Sequence, residues 1–136
     1  MAAVALPQYQ KAVTKARFAE AFTNLKTIGE AYTVCKLNGG TCDFDKLDID
    51  VGKNEYDTGL SRTTENFTYY TGELQTANNA DTVSAYALYK KEDVCLCYRN
   101  NGIIQIRQND SCGPADTSFD YAKLLNLPEE EDCCCC

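Results

Sequence analysis

Nine cysteines and a run of alternating acids are the side chains of this sequence best equipped for chemistry, and no histidine accompanies them. Without histidine the usual general base and the commonest metal ligand are both missing. A histidine-activated serine or cysteine nucleophile is therefore excluded, and the chain is not expected to be an enzyme. Cys35, Cys42, Cys95, Cys97 and Cys112 lie in the body, and residues 133–136 form a terminal run of four cysteines. These spacings do not suit zinc, which wants two well-separated Cys or His pairs. No Cys-x-x-Cys redox pair exists outside the uniform tail. Disulfides in an oxidising compartment are the expected use of the thiols.

Cys35 and Cys42 bracket a Gly39-Gly40 turn, so a bridge there closes a short loop and contributes ~2–3 kcal/mol by chain entropy. Cys112 follows the last strand-like run and can fold back to Cys95, with Cys97 as the alternative partner. The thiol left over can take a partner from the tail, which reads equally as native sequence or as an added tag. Asp43, Asp45, Asp48 and Asp50 alternate with Phe44, Leu47, Ile49 and Val51. The calcium-loop pattern fails, because its glycine and its final glutamate are missing. A solvated loop edge with a docked apolar side is expected instead, and no metal or cofactor. Asn66-Phe67-Thr68 matches a glycosylation sequon, a weak signal. The nine tyrosines read as strand residues rather than as a binding face.

These residues need elements to position them. The chain has 136 residues, enough for one domain with a core, and 24% of them are charged. Residues 7–37 carry a helical pattern: Phe18, Phe22, Leu25, Ile28, Tyr32 and Cys35 recur at three- and four-residue steps. Asn38-Gly39-Gly40 ends it. The large apolar side chains begin only at Phe18, so the alanine-rich first half is expected to project from the body, with Pro7 as a possible kink. Residues 38–66 read as a loop. Strand-like runs follow at 67–71, 82–89, 94–99 and 103–107. The Asn100-Asn101-Gly102 loop sets a register that opposes Tyr98 to Ile104, Leu96 to Ile106, and Cys95 to Arg107. Val94, Leu96, Tyr98, Ile104 and Ile106 then face the core, while Cys95 and Cys97 point outward. The expected fold is α+β: one long N-terminal helix packed on a four-stranded antiparallel sheet over 67–108. A disulfide-stapled region follows at 109–132, with a helical turn at 121–125, and 1–132 form a single domain.

The formal charge of −7 argues against nucleic acid. Its distribution is uneven. Residues 1–40 hold Lys11, Lys15, Arg17, Lys26 and Lys36 against Glu20 and Glu30, so the acid excess lies wholly in the remainder. A basic rod joined to an acidic body can pack against a neighbour's rod in an assembly, though a solvated surface explains the same charges.

The stretch Ala2-Ala3-Val4-Ala5-Leu6-Pro7-Gln8-Tyr9-Gln10-Lys11-Ala12, continuing through Ala16-Arg17-Phe18-Ala19-Glu20-Ala21, resembles the N-terminal helix of bacterial type IV pilins and pseudopilins. Residues 2–37 carry the match; the rest agrees only in plan. The resemblance implies a structural subunit of an extracellular type IV pilus that supports attachment, adhesion or twitching motility. It implies self-assembly into a helical homopolymer when full length, through Ala2, Ala3, Val4, Ala5, Leu6, Pro7, Tyr9, Ala12, Val13 and Ala16. It also implies an inner-membrane assembly machinery, and location in the inner membrane before assembly. The family's leader, methylated aromatic residue, nearby glutamate and most of the apolar half have no counterpart here, so a soluble truncated form is expected. The alternatives are a pseudopilin of a type II secretion system and a minor pilin acting as a binding module. The family's calcium-binding pseudopilin loop is not recognisable in this sequence.

Overall fold

The helical pattern of the first residues becomes α1, an unbroken helix over Ala2–Leu37. The computed structural model describes residues 2–54, 59–73, 82–109, 117, 120–130 and 133, with side chains from residue 8 onward. Phe18, Ala21, Leu25 and Ile28 are fully buried and follow one another at helical spacing, so a single stripe of α1 faces the core. Thr14 extends that stripe by one turn, and Phe22, Ala31, Tyr32 and Cys35 are partly buried beside it.

The stripe packs on a sheet of five strands rather than the four expected. These are β1 (Ser61–Thr63), β2 (Phe67–Thr71), β3 (Val83–Tyr89), β4 (Val94–Arg99) and β5 (Ile104–Gln108). All neighbours are antiparallel, in the order β1-β2-β3-β4-β5. The extra strand, β1, lies in the stretch read as loop. Three residues without alternation give no signal of their own, and pairing to β2 through Ser61–Tyr70 and Thr63–Thr68 creates it. A short 3-10 turn, Phe44–Lys46, lies in the same stretch.

The β4–β5 register is the one that the loop chemistry demands: Tyr98 opposes Ile104, Leu96 opposes Ile106 and Cys95 opposes Arg107. Gly102 takes φ +89°, a conformation that side chains disfavour, and its N–H closes the turn on Arg99 at 2.9 Å. The inner face buries Val94, Leu96, Tyr98 and Ile106 against α1, with Ile104 partly covered. Phe18 sits at the centre of an aromatic group, its ring 5.0 Å from both Phe67 and Tyr89 and 5.3 Å from Tyr121. Such edge and tilted packings add to area burial by about 0.5–1.5 kcal/mol each. Tyr69, Tyr86, Tyr89 and Tyr121 are all buried, so these tyrosines build core rather than a binding face.

The outer face is covered as well. Val83, Tyr86, Cys95, Cys97 and Cys133 form a second buried cluster there. Helix α2 (Tyr121–Leu125) is capped by the Asp120 carboxylate, which accepts from the Lys123 N–H. The chain then runs parallel to β5: the Ile106 N–H donates to the Pro128 carbonyl, and the Ile106 carbonyl accepts from the Glu130 N–H, both at 3.0 Å. At the opposite rim, Lys53 and Thr63 exchange two backbone hydrogen bonds of 2.8 Å. Both outer strands therefore have partners.

Candidate assembly surface

Helix α1 divides into two chemically different halves. From Phe18 onward it is fixed to the sheet. Before that, Gln8, Tyr9, Gln10, Lys11, Ala12, Lys15 and Ala16 are exposed, with Tyr9 at 68%. Lys11 and Lys15 share a face, one turn apart, and no acid occurs in residues 2–19. Of the residues that the resemblance assigns to packing between subunits, Tyr9, Ala12 and Ala16 are exposed. Val13 is half-buried and turns toward it. Ala2, Ala3, Val4, Ala5, Leu6 and Pro7 belong to the same helix.

Where α1 meets the body, a groove of about 440 Å³ is lined by Tyr9, Val13, Arg17, Tyr89, Glu92 and Tyr121, among others. Two pairs of its polar groups are hydrogen-bonded. The Arg17 guanidinium donates to the Tyr89 hydroxyl at 3.2 Å, and the Tyr121 hydroxyl donates to the Glu92 carboxylate. Burial, followed by the hydrogen bond to Glu92 and then its charge, raises the Tyr121 hydroxyl pKa. Further along α1, the Glu20 carboxylate accepts from Tyr69 at 2.9 Å and from Thr64 at 3.1 Å, while Asn24 donates to the Tyr69 hydroxyl at 3.2 Å. Burial is the main cause that raises the Tyr69 pKa.

The far end of α1 is tied down by covalent and ionic contacts. Cys35 and Cys42 form a disulfide with a Cα separation of 6.0 Å. Lys36 pairs with Glu73, which also accepts from the Cys42 N–H at 2.9 Å. Burial alone would raise the Glu73 pKa, but these two donors outweigh it and hold the carboxyl below its ordinary value. The Lys36 ammonium is raised in turn, chiefly by its hydrogen bond to Glu73. Nothing in the sequence around Glu73 announces this role, because its partners lie 31 and 37 residues upstream.

Beside that end lies a wider groove of about 800 Å³. Ala31, Val34, Cys35 and Leu47 give it an apolar lining, and Glu30 and Asp48 stand on its rim with Lys46. Val34 is 60% exposed, and Leu37 near it is 82% exposed. In the acidic loop Phe44, Leu47 and Val51 are buried while Asp45, Asp48 and Asp50 face solvent. Arg62 donates to Asp45 at 3.3 Å and lies 4.9 Å above the Phe44 ring. No group of three or more metal-ligating side chains converges among the described residues. Asn66 of the sequon lies in the β1–β2 turn.

On the outer face the leftover thiol does take its partner from the tail, and the alternative pairing of Cys97 with Cys112 is excluded. Cys97 bonds to Cys133, with a Cα separation of 5.4 Å, so it is not a partner of Cys112. Cys133 is fully buried there, and its Sγ lies 3.2 Å from the Gln105 carbonyl. The run of 128–130 along β5 delivers Cys133 to that face, which the spacing alone does not reveal. Cys95 is also disulfide-bonded, to a partner outside the described residues. Cys112 and its expected bridge to Cys95 lie outside them too.

Comparison with protein-family models, with curated proteins and with solved structures returned no match. Among the described residues no helix is long and apolar enough to cross a membrane.

Proposed function

We propose that this chain is a type IV pilin-like structural subunit of an extracellular filament that serves surface attachment or motility. The observation that carries this reading is the division of α1. At 36 residues the helix is about 54 Å long; its buried stripe on the body runs from Thr14 and Phe18 onward, and residues 8–12, Lys15 and Ala16 are left exposed. The exposed side chains of residues 8–12, Lys15 and Ala16 add little to the stability of the body itself. Small side chains there suit close approach of a neighbouring helix. The covalent fastening at both the α1 end and the outer sheet face suits a body exposed to an oxidising exterior. The reading assigns the chain no catalytic chemistry, no cofactor and no nucleic-acid partner; its partners are copies of itself and the machinery that assembles them.

Electron microscopy of the source cells, labelled with antibody to this body, tests it. Labelled filaments outside the cell are expected. Label confined to the envelope overturns the extracellular filament and favours a pseudopilin of a secretion system or a minor subunit.

A further inference from the structure

The groove at the far end of α1 and the free first half of the same helix are chemically complementary. The groove offers an apolar lining of Ala31, Val34 and Leu47, and at its rim stand Glu30 and Asp48, neither in an ion pair with a described residue. Lys46 is the one base among the described residues that line it. The carbonyl end of α1 adds a partial negative charge at the same place. The first half offers Lys11 and Lys15, neither in an ion pair with a described residue, beside the small exposed residues Ala12 and Ala16 and the ring of Tyr9. Lys11 and Glu30 are 19 residues apart on one helix, about 28 Å along its axis. No copy can therefore bring its own bases to its own groove.

We infer that this groove receives the first half of α1 from a second copy of the chain, with Lys11 and Lys15 set against Glu30 and Asp48. The inference rests on the filament reading and names the surface through which neighbours would meet. The two surfaces are different patches of one molecule, so the contact is head-to-tail, the kind that propagates into an open filament when its rotation does not close a ring. Val34 and Leu37, left exposed by the fold, lose their contact with water on docking. The charged rim sets the register and makes the contact sensitive to salt, because at 0.1 M the screening length is only about 10 Å.

Sedimentation velocity of the purified chain at low salt tests the charge pairing. Lys11→Glu with Lys15→Glu, or Glu30→Lys with Asp48→Lys, is expected to weaken self-association at least tenfold. The chain carrying all four changes is expected to recover to within about threefold of the parent. All four side chains are exposed, and circular dichroism verifies that the variants keep the fold. Association indifferent to the reversals, or no recovery in the fourfold variant, overturns the inference. A second measurement does not depend on association strength: a photocrosslinking residue at Val34, in protein assembled by the source cells, is expected to capture residues 9–16 of another copy. Capture of other segments, or of none, in cells that still display labelled filaments overturns this surface and leaves the filament reading standing. Absence of labelled filaments overturns that reading, and this inference with it.

Discussion

Glu73 joins the α1 end, the Cys42 turn and the end of β2 through one carboxylate, and its chemistry makes the junction sensitive to acid. Its pKa is lowered in the folded chain, so it favours the fold at every pH above its ordinary value near 4.5. That contribution disappears as pH falls through the lower, folded value. Glu73→Gln should therefore lower Tm at pH 7, and the difference from the parent should shrink as pH falls below 4.5 through the lower, folded value; thermal melts across that range check it. Tyr69 has the opposite sign. Its raised pKa keeps the folded hydroxyl protonated where an unfolded tyrosine, near 10, ionises, so the fold weakens as pH rises above about 10. Tyr69→Phe should cost about 1.5–3 kcal/mol at pH 7 through the lost bond to the Glu20 carboxylate. The variant should also lose less stability than the parent between pH 10 and 12, which urea titrations at the two pH values read directly.

At the scale of elements, α1 lies so close to β4 that a Cβ on Gly29 would overlap the Tyr98 ring. Alanine normally improves a helix interior by about 1 kcal/mol over glycine. Overpacking costs about 1–3 kcal/mol, so Gly29→Ala should destabilise despite its propensity, as a lowered urea midpoint. The disulfides divide by loop length. Removing Cys97–Cys133, with a separation of 36, should cost about 4 kcal/mol by chain entropy, against about 2 kcal/mol for Cys35–Cys42, with a separation of 7. Paired serine variants, compared by equilibrium unfolding, check the order. Local chemistry made the helix, four of the strands and the β4–β5 register legible in the sequence, since each follows from side-chain period or from one three-residue turn. Strand β1 was not legible, because its pairing to β2 supplies what its three residues lack. The tail partner of the leftover outer-face thiol was legible, though not that Cys133 is the one; the Glu73 junction escaped, because it joins residues more than 30 apart whose types carry no mutual signal. The uneven charge was visible from the start, whereas the groove exists only once α1 and the 41–48 turn meet.

At the scale of the whole molecule, both faces and both rims of the sheet are occupied. Helix α1 covers one face, the Cys133 cluster lies on the other, Lys53 pairs with β1, and 128–130 pair with β5. Association between native copies is thus left to side-chain surfaces such as the two halves of α1. The β5 rim is held shut by a short parallel pairing of 128–130, followed at once by the covalent anchor at Cys133. Cutting that anchor frees the pairing, and the uncovered Ile-Gln-Ile run of β5 becomes a template for strand addition. The same bridge that toughens the native body is therefore a guard against cross-β aggregation. Cys97→Ser with Cys133→Ser should bind thioflavin T on prolonged incubation under conditions where the parent does not. For this chain, a reducing environment is a hazard of misassembly as well as of unfolding.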